Sequence, residues 1–253
     1  MTDLSKAKII AKRQNKTVYR DGGFTVKLMD EKYPAPDVLN EALNLSIVHE
    51  TGFLAPELSE VTKIDGKWAI IYEYIEGVTL ASMIEEDPDK ADEYFKRFVK
   101  IHLRMHSYKA ERLRHHTDKM HAKISASGLA REARHELHMR LNGMPKHNKL
   151  CHGDFTPGNV IITPSGSEYV IDWAHATQGN ASADAARTYL RFKLAGNDAY
   201  AEKYIDLFCE MSGTEKRYVQ KWLALAAASQ LVKNKPEERE LLLSWANIFD
   251  YDS

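Results

Sequence analysis

Eight consecutive residues, His152-Gly153-Asp154-Phe155-Thr156-Pro157-Gly158-Asn159, are followed thirteen positions later by Asp172, in Val170-Ile171-Asp172-Trp173. An aspartate that can accept a hydroxyl proton, an asparagine five residues on and a second aspartate supply one base and two oxygen ligands for magnesium. Phosphoryl transfer asks for that set. Singly, a loop Asp or Asn often does no more than cap a turn. The ordered set, with a His two residues before the first Asp and an apolar run before the second, favours chemistry over coincidence.

The neighbouring residues say how the set is held. Leu150-Cys151-His152 is apolar enough to leave a core, and Pro157 and Gly158 interrupt a helix, so Asp154 is expected on a loop. Val160-Ile161-Ile162 reads as a short buried strand, Thr163-Pro164-Ser165-Gly166-Ser167 as a turn, and Tyr169-Val170-Ile171 as the returning strand. This hairpin brings Asn159 back beside Asp172. Further upstream, Thr17 to Arg20 and Phe24 to Leu28 flank Asp21-Gly22-Gly23 as strand, tight turn and strand, which puts Lys27 on the second strand. Pro34 and Pro36 break the chain, Asp37 is the expected N-cap of a helix from about Val38 to Glu50, and Glu41 falls in its first two turns. A second hairpin turns about Asp65-Gly66 and leads into Ile70-Ile71-Tyr72-Glu73-Tyr74-Ile75-Glu76-Gly77.

The catalytic stretch resembles that of the aminoglycoside phosphotransferase and choline kinase-like family, small-molecule relatives of the protein kinases. His-Gly-Asp and Ile-Asp-Trp stand where protein kinases carry His-Arg-Asp and Asp-Phe-Gly, and no Ala-Pro-Glu segment follows. Gln178 to Thr188 is similar to the segment by which this family packs its post-catalytic loop onto the next helix. The resemblance implies an α+β, two-lobed, protein-kinase-like fold. A nucleotide-binding lobe with an antiparallel sheet and one helix spans 1–77, and a larger helical lobe with the acceptor pocket spans 78–253. It implies Asp154 as the catalytic base, Asn159 and Asp172 as metal ligands, and Lys27 braced by Glu41 on the nucleotide phosphates. The Glu73 carbonyl and the Ile75 N–H would read the adenine edge, with Tyr72 as gatekeeper. His152 would hold the catalytic loop through hydrogen bonds. ATP, with GTP the alternative, and Mg2+ are the implied cofactors. One departure stands out, because Lys12-Arg13-Gln14-Asn15-Lys16, where the family has a phosphate-covering loop, contains no glycine.

Composition narrows the remaining choices. The chain has 253 residues, 43% of them hydrophobic, enough for a sizeable core. A formal net charge of -1 gives no reason to expect nucleic acid or membrane as partner. Two cysteines make no disulfide framework, and the expected location is the cytoplasm. Between His102 and Lys149, eleven Lys or Arg face four acids, an excess read as solvated helix faces rather than a polyanion site. His102 and His106 lie four apart, but no Glu follows His102 to make a His-Glu-x-x-His metal motif. The last helices, Ala199 to Met211, Glu215 to Val232 and Glu237 to Phe249, are expected to wall the acceptor pocket. Their acids Glu210, Glu215, Asp250 and Asp252 suggest an aminoglycoside-like or other cationic or polyol acceptor. Two alternatives stay open: a metabolite kinase of choline or homoserine type, and a nucleotide-binding regulatory module without turnover.

Overall fold

The computed structural model describes residues 4–13 and 15–246, which leaves Gln14, Asp250 and Asp252 outside the described residues. The chain divides into two compact units, Met1–Pro88 with Pro157–His175, and Asp89–Thr156 with Ala176–Ser253.

The first unit is built on five antiparallel strands in the order β1-β2-β3-β5-β4: β1 (Lys8–Arg13), β2 (Lys16–Asp21), β3 (Phe24–Met29), β4 (Leu58–Ile64) and β5 (Lys67–Glu73). Both turns predicted from Gly-containing pairs are two residues long. Asp21 pairs with Phe24 around Gly22 at φ 57°, and Ile64 pairs with Lys67 around Asp65 and Gly66 at φ 50° and 80°. Positive φ, at the first central residue of one turn and at both of the other, matches the right-handed twist of the flanking strands. On either side of the basic stretch the strands stay paired, for Arg13 pairs directly with Lys16.

Helix α1 runs Ala35–Glu50, three residues earlier than its sequence signals suggest. Pro34 is its N-cap and Pro36 lies in its first turn, where a missing N–H costs nothing because those N–H groups have no intrahelical partner anyway. Asp37 therefore favours the first turn through its charge on the helix dipole, not through a cap bond. Val38 and Ala42 on this helix pack on Met29 and Ile70 of the sheet. The unit is completed by β6 (Val78–Thr79), α2 (Leu80–Glu86), β8 (Val160–Ile162) and β9 (Glu168–Val170), with β8 central in a three-stranded sheet. Thr79 caps α2 through its hydroxyl, which accepts the Ser82 N–H at 3.1 Å.

The second unit is helical: α3 (Ala91–Met105), α4 (His116–Ser125), α5 (Arg131–Asn142), α6 (Ala181–Leu194), α7 (Asp198–Ser212), α8 (Lys216–Gln230) and α9 (Pro236–Ala246). The short pair β7 (Lys149–Cys151) and β10 (Thr177–Gly179) threads it. Its core is aromatic. Phe98 of α3 stacks on Phe155 at 4.4 Å, and Tyr204 of α7 packs beside Phe98 and Phe208. Phe155 thus pins the residue after Asp154 into the core. Among the described residues no helix is long and apolar enough to cross a membrane.

Candidate active site

In the first unit the β3 lysine meets the α1 glutamate. Lys27, 3% exposed, donates to Glu41 Oε1 and, at 2.8 Å, to Asp172 Oδ1. Burial works against the lysine's charge, but the carboxylates of Asp172 and Glu41 outweigh it and hold the ammonium above its usual range. Lys16 adds a second cation 3.4 Å from Asp172 Oδ2. Its own pKa is lowered, first by burial and then by the Lys27 charge.

The β8–β9 hairpin does what its sequence predicts. Val160 pairs with Val170, and the Ile171 N–H donates to the Asn159 carbonyl at 2.9 Å, so Asn159 and Asp172 come to the wall of one cavity. Asp172 adopts φ 65°, a left-handed conformation that Asp tolerates better than most side chains. The residue after it is tied down from α1, since Asn44 Nδ2 donates to the Trp173 carbonyl at 3.1 Å. One helix thereby places both Glu41 and the turn that carries Asp172. Asn44 gave no signal in the sequence, where it reads as an ordinary polar helix residue.

The cavity, about 530 Å3, lies within this unit and is lined by Lys16, Lys27, Tyr72, Glu73, Ile75, Asn159 and Asp172 among others. That volume suits a drug-sized or cofactor-sized ligand. Burial pushes Tyr72 up to about 12, so it stays a neutral phenol on the cavity wall. The Glu73 N–H donates to the Glu57 carbonyl and the Tyr74 N–H to the Gly23 carbonyl, each at 2.9 Å. Gly77 closes this segment under a steric requirement, because a Cβ there would stand 2.4 Å from the Ile162 carbonyl oxygen.

In the second unit Asp154 lies on the loop after β7, and that loop is organised by Asp184 of α6. The buried Asp184 carboxylate accepts the His152 and Gly153 backbone N–H groups, each at 2.8 Å. It also accepts Nε2 of His102 at 3.1 Å and of His106 at 3.2 Å. Burial opposes its charge, yet these imidazole hydrogen bonds hold it well below the usual carboxylate range. Burial pushes His102 down to about 3, so the ring is neutral, donating through Nε2 to Asp184 and accepting the Tyr204 hydroxyl through Nδ1 at 2.8 Å. His102 and His106 therefore brace a carboxylate that anchors a loop. His152 takes the place expected of it, its Nδ1 accepting the Asp154 N–H at 3.2 Å.

Asp154 is surrounded by cations. Arg191 Nε stands 3.0 Å from its Oδ1 in an ion pair not aligned as a hydrogen bond, and Arg187 Nε donates to the Gly153 carbonyl at 3.3 Å. Of the four acids expected to face an acceptor, two are among the described residues. Glu210 and Glu215 are exposed, and Asp250 and Asp252 lie outside the described residues. Lys119 and Lys123, read from sequence as part of a solvated basic face, are half-buried instead. Their electrostatic environment includes Arg187 and Asp154.

Residues 6–222 match the family model described as APH, phosphotransferase enzyme family. No curated protein matches the chain. Among solved structures, a choline/ethanolamine kinase family protein from Mesorhizobium loti is similar, with 16% identity and a TM-score of 0.59 over 98% of this chain and 82% of that one. A thermostable mutant of aminoglycoside phosphotransferase APH(4)-Ia, in ternary complex with AMP-PNP and hygromycin B, gives 16% identity and a TM-score of 0.67 over 96% and 90%. Choline kinase LicA from Streptococcus pneumoniae gives 15% and 0.60 over 92% and 86%. These likenesses give the chain the α+β protein-kinase-like fold.

Proposed function

The chain belongs to this phosphotransferase enzyme family, and from that premise we propose that it moves the γ-phosphate of ATP to a hydroxyl of a small molecule, with magnesium, in the cytoplasm. The observation that carries the reading is the set Lys27, Asn159 and Asp172 gathered on one cavity within the first unit, with Glu41 paired to Lys27. Nucleotide in that cavity agrees with the AMP-PNP and hygromycin B held by the similar aminoglycoside phosphotransferase.

Each residue then has a task. Lys27, charged at every working pH and braced by Glu41, contacts the phosphates. The Glu73 carbonyl and Ile75 N–H read the adenine or guanine edge, since the N–H groups of Glu73 and Tyr74 are already engaged in the sheet. Asn159 and Asp172 offer an amide oxygen and a carboxylate, hard donors of the kind magnesium takes, so these residues fit the ion and would hold it. Magnesium there would supply positive charge against the phosphates. Asp154 orients the acceptor hydroxyl and takes its proton as the bond to the γ-phosphorus forms and the bond from that phosphorus to the bridging oxygen breaks, releasing ADP, while Asp184 and His152 fix the loop that carries it.

An aminoglycoside-like, cationic or polyol acceptor is what the resemblance favours, with choline- or homoserine-type metabolites as the alternative. The basic surroundings of Asp154 do not favour a cation. A regulatory module without turnover would bind nucleotide and consume none. ATP consumption against a panel of aminoglycosides, amino alcohols, sugars, sugar acids and sugar phosphates decides among them. At least one hydroxyl compound is expected to be phosphorylated, and Asp154→Asn is expected to cut that turnover by about 10²- to 10⁴-fold, the worth of a general base, with ATP affinity kept within a few-fold. Turnover undiminished in Asp154→Asn would remove Asp154 from the chemistry.

A further inference from the structure

Three elements of the second unit bring cations together beside Asp154. Helix α6 carries Arg187 and Arg191 four residues apart, α4 carries Lys119 and Lys123 four residues apart, and the 3-10 turn Leu231–Lys233 ends in Lys233. They sense one another: Arg187 acts on Lys119, Lys123 and Lys233, and Lys233 on Lys123. The same environments include three acids, Asp154, Asp184 and Glu238. All three are engaged, Asp154 by Arg191 at 3.0 Å. Asp184 holds His102, His106 and two backbone N–H groups, and Glu238 accepts Gln230 Nε2 at 2.6 Å and Lys235 Nζ at 2.8 Å.

Arg187 is the informative member. It is 6% exposed, and its Nε donates to the carbonyl of Gly153, next to the proposed base. Yet Nη1 and Nη2 are buried and form no hydrogen bond among the described residues. A guanidinium presents its donors as a fork that matches carboxylate or phosphate oxygens, and a buried fork left open is unfavourable. Arg187 is buried, Arg191, Lys119 and Lys123 are half-buried and Lys233 is exposed, and charges of one sign gathered about a buried member repel unless an anion joins them.

We infer that the acceptor alcohol carries an anionic group, a phosphate or a carboxylate, which the open amino groups of Arg187 bind with Arg191, Lys119, Lys123 and Lys233 around it. This inference rests on the phosphotransferase reading and names the substrate class of that site. Burial and then the Arg187 charge push Lys123 down to about 7 and Lys119 down to about 8, so an arriving anion draws protons onto them.

The test uses acceptors that share a polyol body and differ in charge: glucose, gluconate, glucose 6-phosphate and glucosamine, with glycerol, glycerate and glycerol 3-phosphate as a smaller series. Phosphate and acid members are expected to be phosphorylated with kcat/KM at least about tenfold above their neutral parents. Arg187→Gln and, for a half-buried position more tolerant of change, Lys123→Gln are expected to lower it by about 10- to 100-fold, as loss of a charged hydrogen bond does, with ATP affinity unchanged. Which series member responds separates a carboxylate from a phosphate ester. Preference for the neutral or amino compounds would overturn the inference. So would equal losses in ATP hydrolysis without acceptor and in transfer to every acceptor, since the cluster would then serve the moving phosphoryl group. Binding is read separately, by the shift in unfolding temperature with sodium phosphate and with sodium acetate at constant ionic strength. A stabilisation by either anion that Arg187→Gln abolishes, together with no ATP consumption on any acceptor, would leave the anion site standing and remove the phosphotransferase reading. No stabilisation by either anion and no preference for charged acceptors would remove the anion site alone.

Discussion

At the scale of single residues, the first unit ties its catalytic candidates together through charge. Asp172 faces Lys27 at 2.8 Å and Lys16 at 3.4 Å, so its carboxylate is fixed between two cations. Asn159 brings a neutral oxygen to the same wall. If both are ligands of a hard cation, removing the charged one matters more. Asp172→Ala is therefore expected to weaken Mg·ATP binding by at least about tenfold, and Asn159→Ala by less, because the second loses a dipole and not a charge. Calorimetric titration of Mg·ATP into both variants checks the order. Two affinities equal to that of the unaltered protein would withdraw the ligand assignment, and a larger loss in Asn159→Ala would invert it. Lys27 is not the variant of choice for this purpose, since it would leave Glu41 buried without its cation.

At the scale of elements, positions are set by a few close approaches. Helix α1 holds the β3 lysine through Glu41 and the turn after Asp172 through Asn44, so its seating on the sheet fixes two parts of the cavity at once. The segment leaving β5 is fixed differently, by contact. Gly77 passes so near β8 that any side chain would meet the Ile162 carbonyl at 2.4 Å. Backbone cannot yield as a flexible side-chain tip does. Gly77→Ala is expected to destabilise the protein by about 1–3 kcal/mol, the usual cost of overpacking, and to weaken nucleotide binding as the segment that carries Glu73 and Ile75 shifts. Urea unfolding and ATP titration of that variant measure both effects. Wild-type stability would mean that the β6 and β8 strands move apart without cost. Replacement of Gly66 would act by another route, since no atom crowds it and only its φ of 80° resists a side chain.

At the scale of the whole molecule, a net charge of -1 conceals an uneven distribution. The second unit gathers cations around Asp154, and it also buries neutral histidines. Burial pushes His102 down to about 3 and His116 down to about 4, against an ordinary value of 6.5. Below that ordinary value the unfolded chain binds protons that the folded chain refuses, so this part of the stability is complete above pH 6.5 and is lost as pH falls toward the folded values. Asp184, held well below 3.8, is a depressed carboxylate whose contribution is present above that value and lost beneath it. Both effects have the same sign in acid and act in successive windows. The unfolding temperature is expected to drop by roughly 5 °C or more between about pH 7.5 and about pH 5, where exposed carboxylates are still ionised. Thermal scans across that interval check it. A flat profile down to about pH 5 would show that the two imidazoles are not held neutral.

What the sequence determined by itself was local in its physics. That Asn159 and Asp172 come together was legible because a short hairpin joins them, and that Asp154 lies on a loop because the residues around it do not continue a helix. Lys27 and Glu41 were legible because a two-residue turn fixes the strand that carries Lys27, and Glu41 falls in the first two turns of its helix from either start. Helix starts were less legible, since Pro34 and Pro36 can end one segment or begin the next, and only the packing of Val38 and Ala42 on the sheet selects the latter. The tertiary structure alone decided what distant residues become. Asp184 turned from a polar helix residue into the anchor of the Asp154 loop because α3 sets two imidazoles against it. Lys119 and Lys123 read as part of a solvated basic face, and nothing in the sequence joined them to Arg187, Arg191 or Lys233, for spacings place residues on helix faces and say nothing of which faces meet. Burial and mutual potential arise only when those faces are packed together, and it is those two quantities that give the second unit its open guanidinium and its expected preference for an anion.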